Sequence, residues 1–293
     1  MALTFDDGPG VSTEAVLAVL RRHHVRGTFF VIGRRAAKRP DLVEEAAADG
    51  NLIANHSWSH PTAGGGFAAL SPAAVAGQLD RTQTLLTAIT GRTPCLFRAP
   101  QGRDRAPALT AAAALRRLTV VHWRMSSQDY AQPLHYVPAE VARIAGVLSG
   151  LWPHPILLMH DGAQYRGNTV AALDRIITWY ASRGYAFTDP LGRPLPAPTA
   201  RVLLTGPDSV VRQGAVVSLA GAAPATEAGA HVVLRSLVDG VWVQADQARV
   251  AADGSFTVST VIRGNGITWC RVFVDGALSR QVPVVANGSY AAV

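Results

Sequence analysis

Phe29-Phe30-Val31-Ile32, entered from Gly27, is a short unbroken apolar run and reads as a buried strand. The chain on either side repeats the theme. Leu52-Ile53-Ala54 is a second run, Leu118-Thr119-Val120-Val121 a third and Ile156-Leu157-Leu158-Met159 a fourth, with Tyr185-Ala186-Phe187 a weaker fifth. Helical patterns with start and stop signals separate them. Ser12 or Thr13 is placed to cap a helix carrying Val16, Val19 and Leu20 on one face, ended before Gly27. Pro40 opens another that stops at Gly50. Ser71-Pro72 opens a third, with Val75, Leu79, Leu86 and Ile89 on one face and Gly91 closing it. A last long helix is expected from about Asn168 to Arg183. Repeated strand–helix alternation predicts a parallel α/β architecture over residues 1–190.

The pattern then changes. Residues 191–200 hold Pro194, Pro196 and Pro198 and read as a stiff linker. Over 201–293 helical periodicity disappears. His231-Val232-Val233-Leu234, Val241-Trp242-Val243, Phe256-Thr257-Val258 and Arg271-Val272-Phe273-Val274 are strand-like, with Asp239-Gly240 and Asp253-Gly254 as hairpin-type turns. This predicts a small all-β sandwich.

The chain has 293 residues, 48% of them hydrophobic and only 16% charged, which excludes a long disordered or coiled-coil protein. No apolar run approaches the ~20 residues of a membrane span. The net charge of +7 is spread along the chain rather than gathered into a basic run, so a nucleic-acid partner is not expected. Cys95 and Cys270 fall in different predicted domains and read as isolated buried thiols. Met1-Ala2-Leu3-Thr4-Phe5 has neither the basic region nor the apolar core of a signal peptide.

Four groups carry chemistry. Asp6-Asp7-Gly8-Pro9 places two carboxylates where a strand turns sharply into a loop; an ordinary acidic turn reads the same way in isolation. His56-Ser57-Trp58-Ser59-His60 sets two histidines four apart, on one face if the segment is a helical turn, directly after a predicted strand. Two histidines and one carboxylate with coordination positions to spare make a hydrolytic metal site, zinc first and cobalt, nickel or iron compatible. Arg98-Ala99-Pro100-Gln101-Gly102 joins a fork-like cation to a turn able to aim a backbone N–H at an oxyanion. Leu158-Met159-His160 ends a buried strand, where the active sites of parallel sheets gather.

In order and spacing these groups resemble the polysaccharide deacetylases, the NodB-homology domain or carbohydrate esterase family four. The resemblance runs from about residue 3 to 190 and takes in Gly27-Thr28-Phe29-Phe30-Val31-Ile32-Gly33 and Arg183-Gly184-Tyr185. It implies a distorted, incomplete (β/α) barrel. It also implies Asp6 as general base and Asp7, His56 and His60 as ligands of one divalent metal ion. Gln101 would stabilise the oxyanion through its backbone N–H. Leu158 would line the acetyl pocket, Arg98 orient Asp6, and His160, tuned by Asp129, protonate the leaving amine. The implied reaction is metal-dependent hydrolysis of N-acetyl groups on β-linked N-acetylglucosamine glycans such as peptidoglycan or chitin, an amide hydrolase releasing acetate. The implied setting is secreted or wall-associated.

Three departures stand out. Gln101 sits where the family commonly has tyrosine. Ser126-Ser127-Gln128-Asp129-Tyr130 sits where it commonly has Asp-x-x-Asp-Trp, so one Asp is lost and Tyr130 replaces Trp. Only three residues precede Thr4, which points to a trimmed chain or a misplaced start whose missing part held an export signal. An acetylxylan-type O-deacetylase and a catalytically weakened glycan-binding protein are the alternatives. The C-terminal region resembles small immunoglobulin-like domains of bacterial secreted enzymes, a spacer or a glycan-binding module. Its Trp242 and Trp269 are more often core than sugar platforms in such a fold.

Overall fold

The computed structural model describes residues 1–103, 107–162, 164–196, 202–207, 210–238, 241–264, 266–274, 277–279 and 282–287. Asp239-Gly240 lies outside them. The chain forms two compact units, Met1–Pro198 and Thr199–Val293.

The first unit alternates strands and helices. Its strands are β1 (Ala2–Gly8), β2 (Thr28–Val31), β3 (Leu52–Asn55), β4 (Leu96–Phe97), β5 (Thr119–Val120), β6 (Met125–Ser126) and β7 (Ile156–His160). Its helices are α1 (Thr13–Arg22), α2 (Gly33–Ala36), α3 (Pro40–Ala48), α4 (Pro72–Thr90), α5 (Pro107–Leu115), α6 (Pro138–Leu148) and α7 (Gly167–Ala181). The strands pair in the order β5-β4-β3-β2-β1-β7-β6, every pair parallel, and the two end strands do not meet. This is the incomplete β/α barrel.

Period-two alternation sorts the side chains. Leu3 and Phe5 of β1 and Leu157 and Met159 of β7 join the core beneath the helices, with Leu17, Leu20, Leu173 and Ile176. Thr4 and Asp6 pair in register with Leu158 and His160 and turn to the other face. A short apolar cluster of Phe30, Ala54, Leu96 and Val121 fills the floor on that side.

Several local signals act as read. Ser71 accepts the Ala74 N–H at 3.3 Å, Pro72 opens α4, and Gly91 closes it at φ 67°. The α1 start differs. Ser12 makes no side-chain cap bond; its Oγ accepts the Arg166 N–H at 2.8 Å. Thr13 donates to Asp161 instead, at 2.5 Å. Tertiary partners have taken the capping hydroxyls. Residues 185–187 form no strand; the bonds here run to Met1, the residue before β1: Met1 N donates to Ala186 O and Thr188 N to Met1 O. Residues 189–196 are tied to the first unit. Asp189 holds Leu191 N, Arg193 N and the Arg193 side chain, and Arg26 donates to the carbonyls of Leu195 and Pro196.

The second unit is a sandwich. One sheet holds β8 (Leu203–Thr205), β10 (Val216–Ala222) and β13 (Ser255–Val261). The other holds β9 (Val211–Arg212), β11 (His231–Val238), β12 (Val241–Arg249), β14 (Gly266–Val274), β15 (Ala277–Leu278) and β16 (Val282–Asn287). Leu219, Val232, Leu234, Val258, Val272 and Val284 are buried between them. Asp253-Gly254 does not close a hairpin: β12 and β13 belong to different sheets, so this turn is the crossover. Trp242 and Trp269 are half-buried and outside the core, and the Arg271 guanidinium stacks 3.9 Å from the Trp242 ring. Both thiols are free; Cys270 is buried and Cys95 half-buried. Among the described residues, no helix is long and apolar enough to cross a membrane.

Phe5 is fully buried and stacks on Phe29 with centroids 4.9 Å apart. Phe5→Ala is expected to cost about 3–5 kcal/mol in urea unfolding of the first unit. A loss under about 1 kcal/mol would contradict this packing.

Candidate active site

The polar residues collect at the carboxyl ends of the strands. Asp6 and Asp7 end β1, His56 follows β3, Arg98 follows β4, and His160 ends β7. Adjacent strand residues face opposite ways, so both carboxylates reach one site only because β1 is broken there. Its register with β2 shifts between Asp6 and Gly8, and Asp7 takes φ 70°. Arg35 donates to the Asp7 carbonyl at 2.5 Å and holds that conformation.

The His56–His60 segment is not a helical turn. Ser57 and His60 sit at φ 65° and 51°. Side chains replace the helical bonds: Asn55 Oδ1 accepts Ser57 N, Gln78 Oε1 accepts Trp58 N and Ser59 N, and Ser57 Oγ accepts His60 N. The ring centroids of His56 and His60 end 5.0 Å apart.

Asp7, His56 and His60 each offer one ligand atom, all within 4.8 Å of one another. The Nε2 atoms of His56 and His60 lie 3.5 and 3.4 Å from Asp7 Oδ1. Three donors at about 2.1 Å from one ion in a tetrahedral arrangement stand about 3.4 Å apart. His56 Nδ1 lies 2.8 Å from the Arg98 carbonyl, which only accepts, so the proton is on Nδ1 and the Nε2 lone pair faces Asp7. Asp7 Oδ1 is buried with no hydrogen-bond partner. Two imidazole nitrogens converging on an orphaned carboxylate oxygen fit a cation. Burial also holds His60 below the usual histidine range, favouring the neutral form that a ligand needs.

Asp6 has a different partner. Arg98, fully buried, donates to Asp6 Oδ1 at 2.7 Å and to Thr4 Oγ1 at 2.8 Å. Its remaining nitrogens reach the carbonyls of Val121 and His122, and its guanidinium stacks 4.1 Å from the Phe30 ring. The other Asp6 oxygen, Oδ2, lies 3.9 Å from His56 Nε2.

A second cluster stands on β7 and the turn after β6. His160 Nδ1 meets Asp129 Oδ1 at 2.5 Å, and His160 N donates to Asp129 Oδ2 at 3.0 Å. Burial by itself would lower the His160 pKa; the bond to Asp129 and its charge outweigh burial and raise it. Burial likewise opposes ionisation of Asp129, yet His160, then Ser127 and Thr169, hold that carboxyl below its usual range. Tyr130 is exposed and stands edge-on to His160, centroids 6.3 Å apart. Where the family pattern has an acid, Ser126 Oγ accepts the Gln128 N–H at 3.2 Å, so the turn presenting Asp129 forms without it.

Asp6, Asp7, His56, His60 and Arg98 are thus in one contact set, and Asp129, Tyr130 and His160 in another, joined by the Asp6–His160 register. Leu158 is buried on the face that Asp6 and His160 share. Gln101 is exposed, three residues past Arg98, at φ 60° in a tight turn. Sequence reasoning missed Thr4, Arg35, Gln78, Ser127, Arg166 and Thr169, whose only signal was a polar side chain in or beside an apolar pattern. Asp161 is fully buried, and burial pushes its carboxyl up to about 7, against the bond from Thr13 and with the charge of Asp7 adding.

A polysaccharide deacetylase family model matches residues 1–120. A chitooligosaccharide deacetylase of Sinorhizobium fredii is 36% identical over 195 residues, covering 62% of this chain and 86% of that protein. A peptidoglycan-N-acetylglucosamine deacetylase of Listeria monocytogenes is 34% identical over 188 residues, covering 64% of this chain and 37% of that protein. The solved family 4 carbohydrate esterase from Streptomyces lividans in complex with acetate aligns with a TM-score of 0.57 at 34% identity, covering 68% of this chain and 97% of that one.

A Cβ on Gly162 would fall 1.9 Å from the Asp7 carbonyl oxygen and 2.2 Å from its carbon. Gly162→Ala is expected to displace Asp7 and weaken zinc or cobalt binding about 10- to 100-fold by titration calorimetry. Unchanged affinity would show that the Asp7 backbone does not set the ligand geometry.

Proposed function

We propose that this chain, which belongs to the polysaccharide deacetylase family, removes acetyl groups from N-acetylglucosamine residues of a glycan, peptidoglycan or chitin-like, and releases acetate. The observation that carries the reading is the convergence of two histidine nitrogens on Asp7 Oδ1, at 3.5 and 3.4 Å, beside a second carboxylate that a buried arginine holds by its other oxygen. Asp7, His56 and His60 would hold one divalent ion, zinc by its donor set. Such an ion supplies Lewis acidity toward the acetyl carbonyl and lowers the pKa of water.

The protein's own residues do the rest. Asp6 takes the proton of the attacking water, and Arg98 keeps it aimed. The Gln101 backbone N–H faces the developing oxyanion, a role its side chain does not affect. Leu158 lines the acetyl pocket. His160 gives a proton to the leaving amine, which requires the cationic form that Asp129 favours. The C–N bond breaks, acetate leaves, and the sugar keeps a free amine. Exposed Tyr130 offers a ring for sugar contact beside His160. The intact Asp129 turn favours turnover over a binding-only role. The second unit is read as an accessory spacer domain, and the setting as secreted or wall-associated.

Acetate release from chitooligosaccharides and peptidoglycan tests this. Turnover should need added zinc or cobalt and stop with a chelator. His160→Ala is expected to lower kcat by about 10²–10⁴-fold. Release from neither substrate, with metal shown to be bound, would sink the reading, and release from acetylated xylan alone would move it to an O-deacetylase. Asp129→Asn removes the charge that raises the His160 pKa, leaving burial to lower it. The cationic form is then lost at lower pH, and the alkaline limb of kcat/KM should move down by about one pH unit or more. An unmoved limb would take Asp129 out of the proton transfer.

A further inference from the structure

The Asp129 carboxylate is fully enclosed and has a donor on every side. Ser127 Oγ and His160 Nδ1 reach Oδ1 at 2.7 and 2.5 Å. His160 N and Thr169 Oγ1 reach Oδ2 at 3.0 and 2.7 Å. Behind Thr169 stands Gln132, whose Nε2 lies 3.0 Å from the threonine Oγ1. The proton order in this chain is forced. An amide nitrogen only donates, so Thr169 Oγ1 accepts from Gln132; its single proton must then go to Asp129, which as a carboxylate only accepts.

We propose that Thr169, backed by Gln132, is a positioning residue: a one-way Gln132–Thr169–Asp129 chain clamps the carboxylate at its second oxygen and so fixes the His160 imidazole. The other donor to Oδ2, the His160 N–H at 3.0 Å, belongs to the residue being positioned, so the Thr169 hydroxyl is what ties that oxygen to a different element. The clamp stands on rigid ground. Thr169 is fully buried in the first turn of α7, and the same turn grips the segment it must control. Asn168 bonds the carbonyls of Pro133 and His135 and the Val137 N–H, and Arg166 donates to the Asp129 carbonyl and to the Gly162 carbonyl. Helix α7 therefore sets the position of a histidine on β7 by way of a turn after β6. The importance of this for catalysis rests on the proposed role of His160 as proton donor; the clamp itself does not.

The test compares Thr169→Val, which deletes the donor, with Thr169→Ser, which keeps it. The first readout is the imidazole Nδ1–H resonance of His160 in nitrogen-15-edited NMR of the full chain without substrate. It should be protected and far downfield in the parent, broadened or shifted upfield in Thr169→Val, and restored in Thr169→Ser. The second is acetate release: kcat should fall about 10- to 100-fold in Thr169→Val with KM within about twofold, and recover in Thr169→Ser. Gln132→Met should move both readouts the same way by less, and decides the matter if Thr169→Val does not fold. A resonance and a kcat unchanged in either donor deletion would overturn the proposal, as would failure of serine to rescue. If the parent releases no acetate but its resonance responds to Thr169→Val, the functional reading fails and the clamp stands.

Discussion

A guanidinium with no access to solvent lies inside the open barrel, and the site is arranged around it. Burying the Arg98 charge would cost several kcal/mol if it were left alone. Instead each nitrogen has a partner: Asp6, Thr4 and the carbonyls of Val121 and His122, with the Phe30 ring beneath. Removing one member of such a pair usually costs about 3–5 kcal/mol, because the other charge stays behind. Arg98 also spends its own carbonyl on His56 Nδ1, which decides which nitrogen of that histidine faces Asp7. One residue after a two-residue strand therefore orients the proposed base and sets the tautomer of a proposed ligand.

The rest of the site follows from the same economy of polar groups in a buried place. Thr4 passes the contact onward by donating to the Leu157 carbonyl at 2.6 Å, tying β1 to β7. That pairing brings Asp6 level with His160. The loops answer for their irregular backbones with side-chain bonds, Gln78 under His56–His60 and Arg35 under Asp7. Asp161 is the exception in kind: its Oδ1 has no partner, and its raised pKa marks a group the fold encloses without neutralising by a cation. Gly8 and Gly162 are glycines because Asp161 and Asp7 leave no room for a Cβ.

Much of the fold was legible because long periodic segments state themselves. The α4 helix shows its serine cap, its proline and its closing glycine in plain sequence, and β2 and β7 are unbroken apolar runs. Strands β4 and β6, two residues each, carry too few side chains to show a period, and Tyr185-Ala186-Phe187 shows one without finding a ladder. Helices α5 and α6 passed unread for lack of the capping and closing signals that marked α4. The candidate site was legible where a motif is local, as in Asp6-Asp7 and His56–His60. It was illegible where a side chain acts across the fold: Thr169 is a hydroxyl in a helix turn until Asp129, 40 residues away in sequence, is placed against it.

The sequence by itself determined the alternation of strand and helix, the change to an all-β region near residue 200, and the residue types available for a metal and for proton transfer. These rest on periodicity, turn chemistry and ligand chemistry, which are local properties. Only the tertiary structure decided how two adjacent carboxylates share one site, that the His56–His60 segment is a side-chain-bonded loop and not a helical turn, and which hydroxyls leave their caps for distant partners. Each of these is a contest between a local hydrogen bond and a partner brought in from far along the chain. Burial settles such contests, because an unpaired polar group away from water costs more than a lost cap.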